Sequence, residues 1–276
     1  GIGAGSPPPA GAAAKAARPP GAGTFATDPD RLTAPTIVST AWVARRGSAL
    51  VLVDAREKVE DFDAGHLPSA VHAPISYVRG ERNGVPDELL EPALLAPKIG
   101  ALGIDAGTEV VVYASGKLQD ATHAALALLS LGHRAVAIME GGLPAWKSEG
   151  RALSTARPSP SARTYVPRPA PDFAPIAFDE LRRTVDDHSM LVLDSRPTEQ
   201  FRGESKGDPR AGHIPGARNR PVADDLAASD SGVYWRTREE LARAYAEKGV
   251  TADRDVVATC RSGHQASSTY FTLRFL

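Results

Sequence analysis

Short, unbroken apolar runs alternate along most of the chain with longer stretches of helical periodicity. LVLVDAR (Leu50 to Arg56), EVVVYA (Glu109 to Ala114), AVAIME (Ala135 to Glu140), MLVLDSR (Met190 to Arg196) and DVVATC (Asp255 to Cys260) each set apolar residues side by side. A strand buried on both faces of a parallel sheet has this pattern. Between the runs, Ala121 to Leu131 repeats apolar residues at helical spacing and stops at Gly132. Thr237 to Gly249 opens on a Thr cap and two acids and stops at a glycine. Strands alternating with helices predict an α/β architecture with parallel sheets flanked by helices.

The runs are copies of one another. LVLVDAR is followed by Phe62 and GHLPSAVH (Gly65 to His72), and MLVLDSR by Phe201 and GHIPGARN (Gly212 to Asn219). From His66 to the end of EVVVYA at Ala114 is 48 residues (114 − 66), and from His213 to the end of DVVATC at Cys260 is 47 (260 − 213). Self-similarity of this kind marks two copies of one module. The chain divides into a flexible Gly/Ala/Pro-rich leader (1–34), a first domain (35–155), a linker (156–175) with six prolines in twenty residues, and a second domain (176–276). The copies end differently. After Ala114 the first continues for 39 residues to Leu153 (153 − 114), through AVAIME and the helix LPAWKSEG, whereas 16 follow Cys260 (276 − 260). The second domain is expected to be incomplete by one strand-helix unit, and a chain extended by that unit to be more stable and more active.

Composition narrows what such a chain does. Its 32 basic and 33 acidic residues are interspersed, for a net charge of −1, which leaves no electrostatic footprint for nucleic acid or an anionic membrane. No apolar run reaches the roughly 18 residues of a membrane-spanning helix. Gly1 to Thr24 has neither the basic start nor the apolar block of a signal peptide. GIGAGS at its head is a glycine pattern found in dinucleotide sites, but no strand precedes it and no helix follows. The seven histidines show no paired ligand spacing, so neither a metal nor another cofactor is expected. A single cysteine closes no intrachain disulfide and leaves the compartment open; it is either buried filler or a reactive group.

Asp54 and Asp194 end their strands as Asp-x-Arg and are read as turn residues that satisfy loop amides and pair with the neighbouring arginine, in preference to metal ligands or acids. His66 and His213 stand at matching places in both copies, including the one without cysteine, and are read the same way. Cys260 has no such counterpart. It closes a buried strand and precedes a polar, glycine-containing loop and a helix with Tyr270, Phe271 and Leu273 on its apolar side. Amides of Arg261 to Ala266 then converge with the positive end of that helix in an anion nest, which also favours thiolate over thiol. The polar loop keeps the sulfur at a cleft mouth, against the alternative of an inert core cysteine. Arg261 is either an anion contact or a solvated charge, and His264 either a substrate contact or a solvated loop residue.

GHLPSA with GHIPGA, EGGLPAWKSEG (Glu140 to Gly150) and CRSGHQAS (Cys260 to Ser267) together resemble the rhodanese family, over nearly everything after about Pro35. The resemblance implies two tandem rhodanese-like α/β domains and a sulfurtransferase with its catalytic cysteine, Cys260, in the second. It implies that Arg261, Ser262, Gly263, His264 and Gln265 cradle the sulfur and bind substrate, with Arg196 as a further substrate-binding candidate, and that Ala114 with the following SGKLQ is the inactive counterpart. The implied partners are a small anionic sulfur donor, thiosulfate or 3-mercaptopyruvate, and a cyanide or thiol acceptor. Arg261 is similar to the thiosulfate-using branch, since mercaptopyruvate-using relatives more often continue with Gly-Ser-Gly. Ser262 and Gln200 stand where animal thiosulfate enzymes carry cations, and Arg202 to Glu204 with His264 look closer to a bacterial group. Two other functions are weighed. A phosphatase of the related fold needs an arginine at the far end of the loop, where this chain has Ala266 and no arginine until Arg274. A non-catalytic binding module sits poorly with a cysteine kept in one loop and an alanine in the other.

Overall fold

Residues 18–168, 173, 175–205 and 210–276 are described by the structure, a computed structural model. The first domain runs β1 (Thr36–Val38), α1 (Thr40–Arg46), β2 (Val51–Asp54), α2 (Val59–Ala64), β3 (Val71–His72), α3 (Ile75–Val78), a hairpin of β4 (Arg79–Arg82) and β5 (Val85–Leu89), α4 (Pro92–Ala101), β6 (Val110–Tyr113), α5 (Leu118–Ser130), β7 (Val136–Met139) and α6 (Gly142–Ser148). The second repeats the plan in α7 (Phe178–Asp187), β8 (Leu191–Asp194), α8 (Thr198–Phe201), β9 (Arg218–Asn219), a hairpin of β10 (Leu226–Ser229) and β11 (Gly232–Trp235), α9 (Arg238–Glu247), β12 (Val256–Thr259) and α10 (His264–Phe275).

The main sheets are parallel, in the orders β1-β7-β6-β2-β3 and β12-β8-β9. Strands β6, β7 and β8 are buried at every position, which is why their sequences are unbroken apolar runs. Helix α9 starts at a capping box in which Thr237 and Glu240 satisfy each other's backbone amides. One apolar cluster, with Trp42, Leu52, Tyr113 and Trp146, lies within the first domain. The other begins at Val53, Val112 and Ile138, passes through Ala121, Ala125 and Leu128 of α5, and continues into Leu193, Trp235 and Phe271 of the second domain. The two domains therefore share a core.

Helices α5 and α10 meet at that boundary. Thr122 and Ser268 stand eight residues after Ala114 (122 − 114) and after Cys260 (268 − 260), and their hydroxyls lie 2.9 Å apart. Equivalent positions of the two copies thus touch across the boundary. Ser267 Oγ joins Thr122 Oγ1 at 2.7 Å, and all three side chains are buried.

Residues 18–34 correct the expectation of a flexible leader. Phe25 and Leu32 are buried. The Gly23 amide donates to the Trp235 carbonyl of the second domain (2.8 Å), and the Thr27 amide donates to the Ile37 carbonyl of β1 (3.0 Å). Arg18 pairs with Glu140. A Cβ on Gly23 would lie 2.5 Å from the Arg236 carbonyl oxygen, so the small residues that read as slack let this segment lie flat as a strap across both domains. GIGAGS falls outside the described residues. The expected linker has neither helix nor strand among its described residues, yet it is laid along the first domain by Arg163 N–H to the Gly100 carbonyl (2.8 Å) and by the buried Tyr165. No helix among the described residues is long and apolar enough to cross a membrane.

Candidate active site

β12 delivers Cys260 to the end of the second sheet. Its last residue, Thr259, stands opposite Asp194 of β8, and the Thr259 carbonyl accepts from Ser195 N–H at 2.9 Å. Cys260 follows, half-buried. Gly263 then caps α10 in the left-handed region, with φ of 75°, a conformation that explains the glycine. This turn folds the helix back over the strand end, and the Ala266 amide donates to Cys260 Sγ at 3.5 Å. The amide seen on the sulfur thus comes from the first turn of α10, to which His264 and Gln265 also belong. An amide and the positive end of a twelve-residue helix facing a sulfur atom stabilise negative charge on it.

The remaining loop residues are held largely from the first domain. His264 Nε2 meets Asp120 Oδ1 at 2.8 Å, a contact between the domains that leaves the side chain half-buried. The Ser262 carbonyl accepts from Arg79 Nη2 at 2.8 Å. Arg261 is exposed, and Gln265 is half-buried.

Arg196 is placed in a turn clamp. Its Nε and Nη2 donate to the Asp194 carboxylate at 3.0 and 2.7 Å, and Nη2 also donates to the Gly212 carbonyl at 2.8 Å. Arg56 makes the same bonds to Asp54 and to the Gly65 carbonyl in the copy without a cysteine. The turn histidines match as well. His66 Nδ1 meets the Phe62 carbonyl (2.8 Å) and His213 Nδ1 the Phe201 carbonyl (2.7 Å), each ring stacked on that phenylalanine. In the counterpart loop Ala114 is buried and its carbonyl accepts from Leu143 N–H at 2.9 Å. Beside it lies a cleft of about 850 Å³ lined by Lys58, Lys117 and Asp120 of the first domain and Asp230 of the second.

Three residues of the site were not found from the sequence: Arg79, Asp120 and His123. His123 is buried and its pKa is pushed down to about 3, first by desolvation and then by Arg79 and His264. It is therefore neutral, and its Nε2 accepts from Arg79 Nε at 3.0 Å. That bond puts the ring proton on Nδ1. The signal for the hairpin that carries Arg79 was present in Asn83-Gly84, whose φ of 53° and 77° suit a two-residue hairpin turn.

A family model for the rhodanese-like domain matches residues 39–149 and 177–276. The chain belongs to the rhodanese family. Among the relatives of this rhodanese is the sulfur carrier protein TtuD of Thermus thermophilus, 31% identical over 87% of this chain and 87% of that protein. Human 3-mercaptopyruvate sulfurtransferase is 31% identical over 82% of each. The crystal structure of SseA from Escherichia coli, a 3-mercaptopyruvate sulfurtransferase, superposes with a TM-score of 0.78 at 24% identity, over 86% of this chain and 93% of that one, a likeness of fold.

Proposed function

We propose that this rhodanese moves a sulfane sulfur from thiosulfate to cyanide or a thiol through a persulfide on Cys260. Sulfur transfer is the activity of its family relatives, and the chain is a sulfurtransferase. The observation that carries the site is Cys260 Sγ, half-buried under the first turn of α10 and bonded by the Ala266 amide. The thiolate attacks the outer sulfur of thiosulfate, a bond forms between the two sulfurs, and the electron pair of the broken S–S bond leaves with sulfite. The acceptor then attacks the terminal sulfur, so that cyanide departs as thiocyanate and the Cys260 thiolate is restored. Loop amides stabilise the charge on the terminal sulfur in both steps, and Arg261, exposed beside them, favours a dianionic donor such as thiosulfate over 3-mercaptopyruvate.

Initial rates with thiosulfate and cyanide should follow ping-pong kinetics, and donor alone should leave the protein one sulfur atom heavier by intact mass. Cys260→Ser abolishes both, because a serine hydroxyl is not ionised near neutral pH. Turnover by Cys260→Ser, or no added sulfur in the donor-treated wild type, refutes the mechanism; no thiocyanate production by the wild type favours a non-catalytic binding module. A higher kcat/KM for 3-mercaptopyruvate than for thiosulfate refutes the choice of donor alone.

A further inference from the structure

Arg79 opens the hairpin of the first domain and reaches across the boundary into the loop that follows Cys260 in the second. Its two described bonds go to neutral acceptors, the Ser262 carbonyl and the ring of His123, and no carboxylate among the described residues pairs with it. A partly buried guanidinium with no carboxylate in direct ion-pair contact is costly, so the negative groups around it and its bonds to the cysteine loop show where it can meet a further anion. Burial lowers its pKa; the negative groups that raise it again are, in order of strength, Asp87, Cys260, Glu57 and Asp120. Neutral His123 fixes the Nε edge and the Ser262 carbonyl fixes Nη2, so the planar fork is held in one orientation beside the cysteine loop. Two of its five N–H donors are used in these bonds.

We infer that Arg79 is a specificity-determining residue of the Cys260 site, through which the first domain supplies a cation that draws the anionic sulfur donor to the cysteine and holds the departing anion. This rests on the reading of Cys260 as the residue that accepts sulfur. It gives the first domain a share in the chemistry although Ala114 has taken the place of its own nucleophile.

Cys260 is the single cysteine, so its alkylation reports on its surroundings without interference. The test compares alkylation by iodoacetate, an anion, with alkylation by iodoacetamide, its neutral counterpart, in the wild type, Arg79→Gln, Arg79→Met and Arg79→Lys. The ratio of the two rates cancels the reactivity and accessibility of the thiol and leaves the local charge. Loss of one cation near the sulfur lowers the ratio about five-fold at low ionic strength. Arg79→Lys keeps most of it, and in either neutral variant KM for thiosulfate rises by more than kcat falls. Arg79→Met is measured beside Arg79→Gln so that one unfolded variant does not decide the matter. An unchanged ratio in a folded neutral variant, or a ratio in Arg79→Lys as low as in the neutral variants, overturns the inference. Alkylation needs no turnover, so a wild type without sulfur transfer refutes the proposed function, while the ratio still tests the charge of Arg79.

Discussion

The hydroxyl contact between the two copies offers a sharp test of how the catalytic helix is held. Ser267 Oγ donates to the His264 carbonyl at 2.6 Å, which leaves its lone pairs for Thr122 Oγ1 at 2.7 Å, and Thr122 Oγ1 in turn lies 2.9 Å from Ser268 Oγ. With one proton per hydroxyl, Thr122 gives its proton to Ser267 at 2.7 Å in preference to the Gln119 carbonyl at 3.2 Å, and the chain then runs from Ser268 to Thr122 to Ser267 to the His264 carbonyl. Thr122→Val preserves shape but leaves the buried Ser268 hydroxyl without its partner, at a cost of about 1–3 kcal/mol. Ser268→Ala removes the donor at the end of the chain and costs about 0.5–1.5 kcal/mol. In the double variant no polar group is stranded there, so its loss should be smaller than that of Thr122→Val alone. Urea unfolding followed by tryptophan fluorescence reads this, because Trp235 Nε1 donates to Thr272 Oγ1 of α10 at 2.9 Å. Losses in the double variant that equal the sum of the singles to within about 0.5 kcal/mol would refute the coupled chain.

Two further outcomes are expected. His123 releases its proton at about 3 in the folded chain, against 6.5 for an ordinary imidazole. As pH falls through the ordinary value, the unfolded chain binds a proton that the folded chain refuses, so stability drops by up to about 1.4 kcal/mol per pH unit toward the folded value. His123→Gln removes this contribution, and stability–pH curves that stay parallel to the wild type from about pH 7 to about pH 4 contradict it. Arg56→Ala and Arg196→Ala each strip the partner from a buried carboxylate, Asp54 or Asp194, and should each cost about 3–5 kcal/mol in urea unfolding. KM for thiosulfate should stay unchanged in both; a rise confined to Arg196→Ala would make it a donor contact and not a turn clamp.

Local chemistry made much of this molecule legible in its sequence. The duplicated Asp-x-Arg and Phe/His turns repeat the same bonds in both domains because each is made within at most twelve residues of chain. The cysteine loop was legible for the same reason, since a strand end, a glycine in the left-handed region and a helix start are neighbours in sequence. Asp120, His123 and Arg79 were not. They lie more than a hundred residues before the loop they contact, and only the packing of α5 on α10 and the reach of the β4–β5 hairpin bring them there. Sequence alone does not decide between two roles for His264 because its partner, Asp120, belongs to the other copy. The strap was missed for a different reason. Its glycines and prolines have the composition of slack chain, and just two large apolar side chains, Phe25 and Leu32, anchor it.

That strap changes how the two halves are tied together. Along the chain the domains are connected once, between the two copies, and across space by the shared core and the α5–α10 contact. Gly23 on Trp235 and Phe25, whose ring centroid lies 6.2 Å from that of Trp235, fasten the far side, so the domains are joined bivalently. With the linker in place, the second attachment is an intramolecular event at an effective concentration in the millimolar range, and a strap contact too weak to hold two separate proteins holds these. The family match begins at residue 39, beyond this fastening. A segment outside the recognisable domain thus adds to the hold that the shared core and the α5–α10 contact already place on the two halves.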